Sequence, residues 1–167
     1  MTKLDFEQFL QRFAAQPTPA TSARHLYVWQ DTFNQLAAVM PPSLGAQMDL
    51  YALTVSLVRK PQTFDEARRM LRRAIQLWLH DYGRAEQKQL AIIVTGIWLL
   101  VRYRPSLHDF VQAASDRCMV VFVAPRTETE FAPLRPLPSY VTINPASALE
   151  FLLAALNPIV VGGNTRA

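Results

Sequence analysis

Residues 90–101 constrain the chain more than any other stretch. Leu90, Ala91, Ile92, Ile93, Val94, Ile97, Trp98, Leu99, Leu100 and Val101 leave almost no polar face. A helix that is apolar all round is buried all round. Read as a helix over about 85–103, this segment becomes a central element that the others must wrap. It falls well short of the roughly 20 apolar residues that cross a bilayer, so a core helix is expected rather than a membrane span.

Prolines and glycines divide the remainder into helix-sized pieces. A short first helix is expected over 5–15, followed by a linker from Pro17 to Ser22. Leu26, Trp29, Phe33, Leu36, Ala37 and Met40 recur at helical spacing and predict a second helix over 23–40, stopped by Pro41-Pro42. Leu44, Met48, Tyr51, Val55 and Val58 predict a third over 44–58. Thr63-Phe64-Asp65-Glu66 has the form of a capping box, with a hydroxyl at the cap and a carboxylate three residues on. A fourth helix follows it to about Tyr82, where Gly83 is a natural stop. Ser106-Leu107-His108-Asp109 resembles a second capping box ahead of a short helix ending near Asp116.

Beyond residue 117 the pattern changes. Cys118-Met119-Val120-Val121-Phe122-Val123 is short, β-branched and aromatic, and reads as a buried strand. Residues 125–139 hold four prolines and no helical stripe, which predicts a long exposed loop. A second strand is expected over 139–143. Asn144-Pro145 then caps a last helix to about Leu156, and a short strand is expected over 159–161. The expected fold is therefore mainly α. It is a bundle of about six helices around the central apolar helix 85–103, with a small C-terminal β-containing appendage. Residues 1–167 form a single domain in this reading, with the bundle over 1–116 and a β-loop-β-α unit over 117–167 packed on it.

Half of the 167 residues are hydrophobic and 18% are charged, below the roughly 25% of ordinary soluble domains. Such a chain can bury a substantial core, and its low charge fits an apolar surface covered by a partner. A single cysteine, Cys118, excludes an intramolecular disulfide. The first residues, Met1 to Glu7, carry early acids and no apolar run of a secretory signal. A cytoplasmic location is the corresponding expectation.

Little in the sequence points to catalysis. His25, His80 and His108 are far apart, and no metal-ligand, Cys-x-x-Cys or glycine-rich phosphate-binding pattern is present. Neither metal nor cofactor is expected. The one compact polar cluster is His108, Asp109, Asp116 and Cys118. It would serve an enzyme if His108 acted as base to a Cys118 thiolate. The simpler reading makes Cys118 a small core residue and His108-Asp109 part of a helix cap.

Two surfaces could meet a partner. From Arg59 to Arg104 there are ten Lys/Arg and four Asp/Glu, a net of +6 in a chain whose total is +4. Within it, Arg68, Arg69, Arg72 and Arg73, with Arg59 and Lys60 upstream, form a basic ridge that could contact nucleic-acid phosphates or another anion. A solvated face is the plainer alternative. Phe131, Leu134, Arg135 and Leu137 lie in the proline-rich loop and could form an arm on a neighbouring subunit. Pro133-Leu134-Arg135-Pro136 also matches the Pro-x-x-Pro form recognised by aromatic grooves. The leading functional expectation is a non-enzymatic interaction or assembly subunit, an adaptor with a protein partner or a second copy. A nucleic-acid-binding subunit using the arginine ridge is the alternative, and a Cys118/His108 enzyme the second alternative.

Overall fold

The computed structural model describes residues 3–4, 26–39, 45–55, 61–84, 91–114, 118–125, 129–131, 141–143 and 145–161. Its centre is a parallel β-sheet. In chain order the elements are β1 (Lys3–Leu4), β2 (Leu26–Trp29), α1 (Phe33–Val39), β3 (Gly45–Asp49), α2 (Leu50–Val55), α3 (Phe64–Arg84) and β4 (Ala91–Thr95). They continue with α4 (Trp98–Tyr103), α5 (His108–Ala113), β5 (Met119–Val123), β6 (Thr129–Phe131), β7 (Val141–Ile143), α6 (Pro145–Leu156) and β8 (Ile159–Val161). Across the main sheet the order is β1-β8-β2-β5-β4-β3, and every neighbouring pair is parallel. A separate antiparallel pair, β6 with β7, interrupts the link between β5 and α6.

Parallel neighbours need long return connections, and these cross over right-handedly. The connection from β2 runs outward past β5 and β4 to the edge strand β3. Those from β3 to β4, β4 to β5 and β5 to β8 all step the other way. Opposite directions of travel put their helices on opposite faces, and the core divides accordingly. One face joins Leu26, Val28, Met48, Ile92, Val94, Val120 and Phe122 to residues of α3, α4, α5 and α6. The other joins Tyr27, Trp29, Ala91, Ile93, Met119, Val121 and Val123 to Leu36 and Phe33 of α1.

This overturns the bundle with a β appendage. The would-be central helix is two elements: β4 ends at Thr95, and α4 starts at Trp98 after Gly96 takes φ +77. A strand inside a parallel sheet is covered on both faces, so it has no polar side to reveal a period of two. An all-apolar run is thus equally a buried helix or a buried strand. The expected second helix likewise splits into β2 and α1, and the third into β3 and α2. Strands β5 and β8, expected in the appendage, lie in the same sheet as β2, β3 and β4. The loop 125–139 contains β6, whose Phe131 pairs in register with Val141. Elements carrying their own local signals stand as expected in outline: α3, α5, β5, α6 and β8.

Helix α3 has the capping box in modified form. Thr63 Oγ1 accepts from the Glu66 N–H at 3.0 Å, and Glu66 Oε1 accepts from the Gln62 N–H at 2.8 Å. Its Ala67, Leu71 and Ile75 are buried. In the second suspected box, Ser106 Oγ accepts from the His108 N–H at 3.3 Å, but Asp109 turns away to α3. Among the described residues, no helix is long and apolar enough to cross a membrane.

Candidate functional site

The carboxyl ends of parallel strands are where α/β sheets leave room for ligands, because each connection departs there and adjacent ones part to opposite faces. Here the departures are built from short-range signals. After β2, the Thr32 N–H donates to Asp31 Oδ1 at 2.9 Å, and Thr32 Oγ1 caps α1 by accepting from the Gln35 N–H at 3.2 Å. After β3, Asp49 Oδ1 accepts from the N–H groups of Tyr51 at 3.1 Å and Ala52 at 3.4 Å, so α2 begins with no linker. After β4, Gly96 turns the chain and its carbonyl accepts from the Leu99 N–H at 3.1 Å.

A cleft of about 290 Å³ opens over these ends. Phe33 of α1, Val123 and Pro125 at the end of β5, and Pro145 and Ala148 of α6 give it apolar walls. Gly96, Ile97 and Trp98 close another side. Its polar groups are Gln47, Asp49 and Thr95. Gln47 and Asp49 are two apart on β3, so they share a face. Asp49 is the register partner of Thr95, which puts all three together. That face is the one whose inner strands carry Tyr27, Ile93 and Val121. The Gln47 amide donates to Thr95 Oγ1 at 3.0 Å. Asp49 Oδ2 has no hydrogen-bond partner among the described residues.

The sequence assigns none of these cleft residues a function by motif, but it carries two local signals of their setting. An isolated glycine stands in the apolar run at Gly96, and Asp49 precedes Leu50-Tyr51-Ala52-Leu53 in the position of a cap.

The arginine ridge is divided by the structure. Arg68 Nε donates to the Tyr103 carbonyl at 2.7 Å, its guanidinium lies 5.3 Å from the Phe64 ring centre, and it pairs with Asp65 at 3.5 Å. Arg72 Nε pairs with Asp109 at 3.2 Å, and Gln76 reaches the other oxygen of the same carboxylate at 3.5 Å. These two arginines tie α3 to α4 and α5, whereas Arg69 and Arg73 are exposed. Arg59, Lys60, Leu134, Arg135 and Leu137 lie outside the described residues, as does the side chain of Phe131.

Of the histidine–cysteine cluster, the structure describes Cys118, His108 and Asp109. Cys118 is half-buried, and its Sγ lies 3.7 Å from Tyr82 Oη, whose ring stacks on Trp78. Burial first, and then the hydrogen bond with Cys118, push the Tyr82 phenol above the ordinary tyrosine range. His108 is exposed, Asp109 is engaged by Arg72 and Gln76, and Asp116 lies outside the described residues. Among the described residues no group of three or more His, Cys, Asp or Glu is placed to hold a metal ion.

Comparison with protein-family models, with curated proteins and with solved structures gives no match.

Proposed function

We propose that the protein is a small-molecule-binding α/β module whose ligand occupies the cleft at the carboxyl edge of the sheet. The observation that carries this reading is the convergence, in one cleft, of three strand ends with Gln47, Asp49 and Thr95. Apolar walls with a few grouped polar atoms are the general composition of ligand pockets. A volume of about 290 Å³ suits a ligand of one or two rings. Binding is favoured over turnover because Asp49 is the one ionisable side chain among the described lining residues, and one of its oxygens caps α2. General acid–base chemistry ordinarily uses a second group within reach. A non-enzymatic module of this kind fits an adaptor or assembly subunit, with ligand occupancy as the signal that a protein partner reads.

A fragment screen on the isotopically labelled full chain, followed by amide chemical shifts, tests the reading. Hits are expected to move the amides of residues 47–49 and 95–98, and to be lost in a Thr95→Phe variant that fills the cleft. Hits that cluster elsewhere and survive Thr95→Phe would overturn it.

A further inference from the structure

Resting on that reading, we infer that the cleft selects organic cations, of the amidinium or primary-amine class carried on a flat apolar body. The one charged group of the polar floor is a carboxylate. The Gln47 amide gives one of its two N–H groups to Thr95 Oγ1, and its carbonyl oxygen is a further acceptor beside Asp49. Asp49 Oδ1 receives two backbone N–H groups, and Oδ2 adds a second acceptor, this one charged. Among the described lining residues no lysine, arginine or histidine offsets that charge.

The walls reinforce the preference. Phe33, Ile97, Val123, Pro125 and Pro145 line the same cleft as the carboxylate and give a flat apolar body a surface to pack on. Phe33 and Trp98 add aromatic rings to the lining, a residue type that attracts cations. Anions meet the opposite conditions. The carboxylate repels them, and among the described lining residues no cationic side chain draws them in.

An isosteric series decides the matter: benzamidine, benzamide and benzoate, titrated into the full chain and followed by the amide shifts of residues 47–49 and 95–98. Benzamidine is expected to bind about tenfold more tightly than benzamide, with benzoate weakest. An Asp49→Asn variant keeps an oxygen to cap α2, because asparagine is as good a cap as aspartate. It is expected to lose about tenfold for benzamidine and to leave benzamide unchanged. Equal binding of benzamidine and benzamide would overturn the cation selectivity and leave the small-molecule reading standing. Absence of cleft shifts with all three compounds, together with an empty fragment screen, would remove both. Should Asp49→Asn fail to fold, the ratio of benzamidine to benzamide in the parent protein decides alone.

Discussion

Gly96 offers the sharpest test of the link between the fold and the cleft. Its φ of +77 lies in the left-handed region, and a β-carbon built there would stand 3.1 Å from the Tyr51 nitrogen and 3.4 Å from Leu50 Cβ. Holding an L-residue in that region costs roughly 1–2 kcal/mol. The Tyr51 nitrogen cannot easily yield, because its N–H is held by Asp49 Oδ1 at 3.1 Å. Relieving the overlap therefore disturbs the α2 cap, and overpacking of this kind costs about 1–3 kcal/mol. Against this, alanine restricts the unfolded chain and returns about 0.4–1 kcal/mol. The net expectation for Gly96→Ala is a loss of about 1–4.5 kcal/mol. In urea, with a slope of roughly 2 kcal/mol per molar, the midpoint falls by about 0.5–2 M. Amide shifts of Asp49, Leu50 and Tyr51 should change in the folded variant. A midpoint at or above that of the parent would refute the reasoning, since it would mean that residue 96 is neither left-handed nor confined.

Other outcomes follow from single contacts. Phe110 is fully buried, with its ring 5.2 Å from that of Phe122 at 75°, and Phe110→Ala should cost about 3–5 kcal/mol in the same assay. A double-mutant cycle of Arg72→Ala and Asp109→Ala should give a coupling of about 0.5–1 kcal/mol, the partly exposed arginine limiting it; additivity would contradict the pair. The raised Tyr82 titration makes its contribution complete below the ordinary tyrosine value of about 10 and lost as pH rises above it. Stability measured from about pH 8 to 11 should fall, and fall less in Tyr82→Phe; equal slopes would contradict the assignment. If the exposed Arg69 and Arg73 contact phosphates, low-salt binding of labelled DNA or RNA should weaken in the Arg69→Gln/Arg73→Gln double variant, and no binding at low salt would make them a solvated face.

What the sequence revealed followed from how each element advertises itself. Helix α3 carries a cap, a stripe of Ala67, Leu71 and Ile75, and an outer face of Arg69, Arg73 and Leu77, so both its start and its period are legible. Strand β5 is short and β-branched, and helix α6 opens with proline. The strands of the other half are hidden by their surroundings. Leu26, Tyr27, Val28 and Trp29 are all buried, as are Ala91 to Val94, so no alternation marks them. Apparent helical spacing runs across an element boundary, as from Trp29 in β2 to Phe33 in α1. In β3 the alternation does exist, with Met48 buried and Gln47 exposed, but five residues abutting a helix imitate one longer helix. The cleft as a whole leaves no local signature for the same reason. Its polar residues become neighbours only through the register of β3 on β4, a contact across 46 positions of sequence for Asp49 and Thr95.

The position of β8 has a kinetic consequence. This strand lies between β1 and β2, pairing Val160 with both Lys3 and Val28. Strands β1 and β2 are thus joined through residues made more than a hundred positions later. Until 159–161 arrive, β2 presents an open edge and β1 has no strand to hold it. Long-range parallel pairing is intrinsically slow, and an open edge invites pairing with other chains. A nascent chain stalled before residue 159 should therefore be more prone to aggregation than one that includes 159–161, and chaperone dependence should be concentrated in that interval.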